Sequence, residues 1–137
     1  MTRTREELHR LVDGIYGASY NDALWREVMP VIKSHLDVTQ ATIGFFDATT
    51  GQQDSVYADC SPFYAQLFLD LGRSNPFVGA MSDTPVGYTL VDQAIMSTET
   101  FERSDFFNVW LRPQDEHSAL ALKMVGNGTM GGFIGLT

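Results

Sequence analysis

The stretch TQATIGFFDATTGQQDSVYA, residues 39–58, is where the periodicity of the chain changes. Before it, apolar residues recur every three or four positions. Within it, β-branched and aromatic residues crowd Thr39 to Asp47 and again Ser55 to Ala58, which is the composition of strands. The polar DATTGQQ between them carries Gly51, so the two runs read as a hairpin. By alternation Ala41, Ile43 and Phe45 share one sheet face, and Thr42, Gly44 and Phe46 the other.

Upstream, Glu6 to Ser19 reads as a helix with an apolar stripe of Leu8, Leu11, Val12, Ile15 and Tyr16. Asn21 caps a second helix, buried through Leu24, Trp25, Val28, Met29, Ile32 and Leu36. Pro30 lies inside it and should bend it. Downstream, Ser61-Pro62 opens a helix that carries Phe63, Leu67 and Leu71, with Tyr64 and Phe68 on a neighbouring stripe, and ends near Gly72. Asn75-Pro76 and Pro85 to Gly87 punctuate an irregular middle. Tyr88 to Val91 reads as a short strand, and Ser97 as the cap of a short helix through Phe101. Ser104 caps another, which must stop by Arg112 because Pro113 disfavours helical geometry before it. The last segment is a hairpin. Its first strand, His117 to Val125, puts Ser118, Leu120, Leu122 and Met124 on one face. Asn127-Gly128 signals a tight turn. Met130 to Thr137 returns, and its Gly131, Gly132 and Gly135 allow close approach by other atoms. This order predicts one α+β domain over 1–137, an antiparallel sheet flanked by helices, as in PAS and GAF sensory domains.

The composition agrees with a folded chain. Of 137 residues, 44% are hydrophobic and 19% charged. The net charge of −8 repels phosphate, so the chain by itself is a poor nucleic-acid ligand. Cys60 is the single cysteine, which rules out an intrachain disulfide and suits a reducing, cytoplasmic setting. The N-terminal MTRTREELHR is too polar for a signal peptide. No apolar run approaches the ~18 residues of a membrane helix, so no membrane partner is expected.

The densest apolar stretch is SDFFNVWLRPQ, residues 104–114. On an α-helix Phe106, Val109 and Trp110 share a face, with Phe107 and Leu111 beside it. Such an arc is core, the wall of a ligand pocket, or a partner surface. The pocket reading draws on Phe45, Tyr57, Tyr64, Phe68, Phe77, Tyr88, Phe107, Trp110 and Leu111. The Trp110 indole N–H needs an acceptor when buried: a ligand, a backbone carbonyl or a water. Arg112 could pair with Asp105, Asp115 or Glu116, or hold a ligand carboxylate. Cys60 and His117 read as structural. No nucleophile signature, metal-ligand spacing or phosphate loop appears, so no enzyme, metal or cofactor is expected.

Four stretches resemble the N-terminal PAS-like sensory domain of LuxR-type bacterial transcriptional regulators. They are LVDGIYGASYNDALWREV (11–28), IGFFDATTGQ (43–52), NPFVGAM (75–81) and FERSDFFNVWLRPQ (101–114). A more distant likeness is to acyl-homoserine-lactone binding domains. The resemblance implies a small apolar or amphipathic ligand, a homodimer, and DNA contact only through a helix-turn-helix domain beyond residue 137. The alternative is an interaction module with a self-filled core, dimerising through its N-terminal helices.

Overall fold

The computed structural model describes residues 4–127 and 130–137. They fall into two compact units, divided between Thr39 and Gln40.

The first unit is a helix pair. Helix α1 (Arg5–Tyr20) starts at a capping box, in which Thr4 Oγ1 accepts from the Glu7 amide and the Glu7 carboxylate accepts from the Thr4 amide. Asn21 ends α1 and caps the 3-10 turn Asp22–Leu24, which runs into α2 (Trp25–Leu36). The two helices meet through small residues. A Cβ at Gly14 would press on Val28, and one at Gly17 would touch Leu24. The large residues of α1 therefore stay outside, with Leu8 52%, Val12 40%, Ile15 37% and Tyr16 67% exposed. The apolar stripe of α1 is thus largely open, because the close approach belongs to Gly14, Gly17 and Ala18. In α2, Trp25, Val28, Met29 and Ile32 are buried as expected, whereas Leu36 at the helix end is exposed.

The second unit is built on a five-stranded antiparallel sheet, order β2-β1-β5-β4-β3. Its strands are β1 (Ala41–Asp47), β2 (Gln53–Ala58), β3 (Thr89–Val91), β4 (Leu120–Asn127) and β5 (Met130–Leu136). Asn127 pairs with Met130, while Gly128, in the tight turn expected from sequence, and Thr129 lie outside the described residues. Helices α3 (Pro62–Leu71), α4 (Pro76–Ser82), α5 (Asp92–Ile95) and α6 (Thr98–Glu102) occupy the connection between β2 and β4. The fold is α+β and PAS/GAF-like, as the element order predicts.

The long apolar stretch winds differently from the α-helix expected. Phe106–Leu111 is a π-helical turn, in which the Arg112 amide reaches back five residues to the Phe107 carbonyl. A 3-10 turn, Arg112–Gln114, follows, so helical backbone continues through Arg112 rather than stopping there. The wide turn relieves the clash a proline ring makes with the carbonyl four residues earlier. It also corrects the face assignment. Phe106, Phe107, Trp110 and Leu111 are buried, but Val109 is 41% exposed.

Two further departures are local. Strand β4 is interrupted by a bulge between Lys123 and Val125. Its most buried residues are Ala121 and Lys123, while Leu122 and Met124 are half-buried. In α3 the stripe of Phe68 faces the core, and Phe63 is 69% exposed.

Candidate ligand cavity

Pairing across the sheet brings small residues into one row. Thr42 on β1 faces Gly135 on β5, and Gly135 faces Ala121 on β4. Paired residues share a face, so these three leave a shallow place on the sheet. Phe46 and Phe133 rise beside it. Phe68 of α3, Phe77 and Met81 of α4, and Phe106 and Trp110 of the π turn close over it. The result is a cavity of about 40 Å³ in the core of the second unit. It lies on the Thr42, Gly44 and Phe46 face of β1, the choice that alternation had left open. That volume holds a few waters. Filled small-molecule sites are of the order of 300–1,000 Å³, so this cavity is well below that size.

The walls are aromatic and interlocked. Phe106 stacks on Trp110 with centroids 5.4 Å apart, and Phe68 packs on Trp110 at 5.1 Å. The Trp110 indole Nε1–H donates to the Tyr64 carbonyl at 2.8 Å. A backbone carbonyl therefore takes that donor.

Polar groups sit at two places on the lining. On one side, Gln53 Nε2 donates to the Phe68 carbonyl at 2.9 Å, and Asn75 Nδ2 donates to Gln53 Oε1 at 3.2 Å. Asn75 Oδ1 in turn accepts from the Phe77 amide at 3.0 Å, which caps α4. This explains the Asn75-Pro76 pair: the cap ties α4 to β2, and proline begins the helix. On the other side, Gln40 Nε2 donates to Gln114 Oε1 at 2.9 Å, and Gln114 Nε2 donates to the Trp110 carbonyl at 2.8 Å. Gln40 is 8% exposed, and its Oε1 is buried with no donor. None of the residues lining the cavity is ionisable. A charged ligand would lose its hydration there without a counter-ion, so the site suits a neutral one.

Among the residues named from sequence, Phe68, Phe77 and Trp110 line the cavity. Phe107 and Leu111 are buried in the surrounding aromatic core, outside the lining. Tyr64 is half-buried and contributes its carbonyl to Trp110. Tyr57 pairs with Ile43 and so belongs to the opposite sheet face. Phe45 lies on that face as well, 43% exposed, with its ring over Gly132. Tyr88 is 64% exposed. Arg112 and His117 are exposed and away from the cavity. Sequence reasoning missed Gln40, Thr42, Gln53, Asn75 and Gly135 as lining. Polar residues at strand ends read as loop, and small residues signal a hollow only once their cross-strand partners are known.

An open trough of about 490 Å³ lies between α1 and α2 in the first unit, with Glu7, Arg10, Glu27 and His35 among its lining. It is edged by charge, so the aromatic-walled cavity of the second unit is the better site for an apolar ligand. Among the described residues no cluster of His, Cys, Asp or Glu could hold a metal, and no helix is long and apolar enough to cross a membrane.

The fold has a solved counterpart. It is similar to the crystal structure of the VqsR LBD domain from Pseudomonas aeruginosa, with a TM-score of 0.70. The match covers 96% of this chain and 77% of that one, at 15% identity. At that identity the likeness is one of fold. No family model and no curated protein matches the chain.

Proposed function

We propose that this chain is the signal-input domain of a LuxR-type transcriptional regulator. It binds a small, neutral, largely apolar molecule between the sheet and the π turn, works in the cytoplasm and forms a homodimer. DNA is contacted by a separate helix-turn-helix domain. The observation that carries this reading is the aromatic-walled cavity over the Thr42, Gly135 and Ala121 row. The fold shared with a regulator's LBD domain supports it. A ligand of ordinary size acts by binding a state with a wider cavity better than the one described above.

A second reading is favoured by two observations. The cavity is small, and α1 leaves Leu8, Val12 and Ile15 open to solvent. In this reading the core is filled by its own side chains and the domain serves to dimerise.

Native mass spectrometry of the purified chain, set against its denatured mass, separates the two. Added mass lost on denaturation supports ligand binding. A dimer of unliganded mass supports the interaction module. A confirming variant is Gly135→Leu. Its side chain would project from the cavity floor, where a Cβ meets nothing nearer than Phe133 at 3.6 Å. The added mass should disappear from this variant while the fold persists.

A further inference from the structure

The orientation of the Gln40 amide follows from its neighbours. The Trp110 carbonyl can only accept, so Gln114 must offer it Nε2. Gln114 Oε1 then faces Gln40, which must answer with its own Nε2. The Gln40 backbone is also held, its amide donating to Thr137 and its carbonyl accepting from Thr137. Gln40 Oε1 is left buried beside the cavity with no donor among the described residues. Buried acceptors in native proteins nearly always find a donor.

We propose that Gln40 Oε1 selects the ligand of this cavity, which is a neutral molecule with an N–H or O–H donor on an otherwise apolar body. This rests on the ligand-binding reading above. The relay from Trp110 through Gln114 makes the preference one-sided, because turning the Gln40 amide over would set two carbonyl oxygens against each other. A ligand offering only an acceptor gains nothing from Gln40.

The test is a matched pair of five-membered rings. Pyrrole carries an N–H, and furan has the same size and shape without it. Both are titrated into the 1–137 chain and followed by amide chemical shifts. Pyrrole is expected to bind at least about tenfold tighter than furan. Gln40→Met should bring that ratio to about one while furan still binds. Equal affinities in the unaltered chain would overturn the proposal and mean that a resident water serves Oε1. So would an undiminished pyrrole preference in Gln40→Met. Should that variant not fold, Gln114→Leu takes its place. It frees the Gln40 amide to turn, so the preference should fall, and an unchanged one overturns the proposal. If neither ring binds at any usable concentration, the ligand-binding reading itself fails, an outcome distinct from loss of selectivity.

Discussion

Trp110 combines three roles that a single substitution would remove together. It stacks on Phe106, fills the space beside Phe68, and satisfies the Tyr64 carbonyl. Trp110→Ala should destabilise the fold by about 3–5 kcal/mol in denaturant titration, the range for deleting a large buried aromatic. Asn75 has two roles, capping α4 and feeding Gln53. Asn75→Ala should cost about 1–3 kcal/mol by the same measurement, since it removes a cap and leaves Gln53 Oε1 without its donor. Cys60 stands just before α3, a position that could lower a thiol pKa. Burial pushes it up instead, and the nearby Asp59 carboxylate adds to this, against a smaller opposing backbone hydrogen bond. A raised pKa means less thiolate at a given pH. Iodoacetamide at pH 8 should therefore modify Cys60 more slowly than a free cysteine in a peptide. An equal rate would show that the thiol is not held this way.

Strand β5 shows at the next scale why glycines in one strand differ. Rings cover two of them: Phe46 lies over Gly131 on the cavity face, and Phe45 over Gly132 on the other. A Cβ at Gly131 would collide with the Phe46 ring, so Gly131→Ala should destabilise by about 1–3 kcal/mol. At Gly135 the nearest ring atom, of Phe133, lies 3.6 Å from where a Cβ would stand, an ordinary contact, so Gly135→Ala should stay within about 1 kcal/mol of the parent. Thermal or denaturant unfolding of the two variants side by side checks the contrast. The sequence revealed that these glycines allow close approach. It could not say by what, because the covering residues come from neighbouring strands. Elements with a strong local signal were read correctly: the caps at Ser61 and Ser97, and the switch from helix to strand after Leu36. Asn75-Pro76, read as punctuating an irregular middle, instead opens α4 with Asn75 as its cap. The π turn was not, since nothing in FFNVWL distinguishes four residues per turn from five. The bond from the Arg112 amide to the Phe107 carbonyl reveals the wider winding, and the exposure of Val109 goes with it.

For the whole molecule, the α+β architecture was legible because periodicity is a local property and the element order constrains topology. The cavity was much less so. Three of its aromatic walls could be named, but its floor is defined by register across β1, β5 and β4. Likewise the burial of Gln40 depends on a residue 74 positions away. Charge is the property most directly set by sequence. With a net −8, the chain should show no measurable affinity for duplex DNA in fluorescence anisotropy at ordinary salt. Salt-sensitive binding would reveal a basic patch strong enough to overcome that charge. The π turn, finally, has a consequence for inheritance. It holds one residue more than an α turn, and Val109, facing solvent, is the residue whose loss would disturb packing least. Removing it would turn the bond between the Arg112 amide and the Phe107 carbonyl into an ordinary α-helical one, and the residues beyond, Gln114 among them, would keep their place beside Gln40. A descendant of this sequence that is shorter by one residue between Ser104 and Arg112 should therefore still carry glutamine at the positions equivalent to 40 and 114.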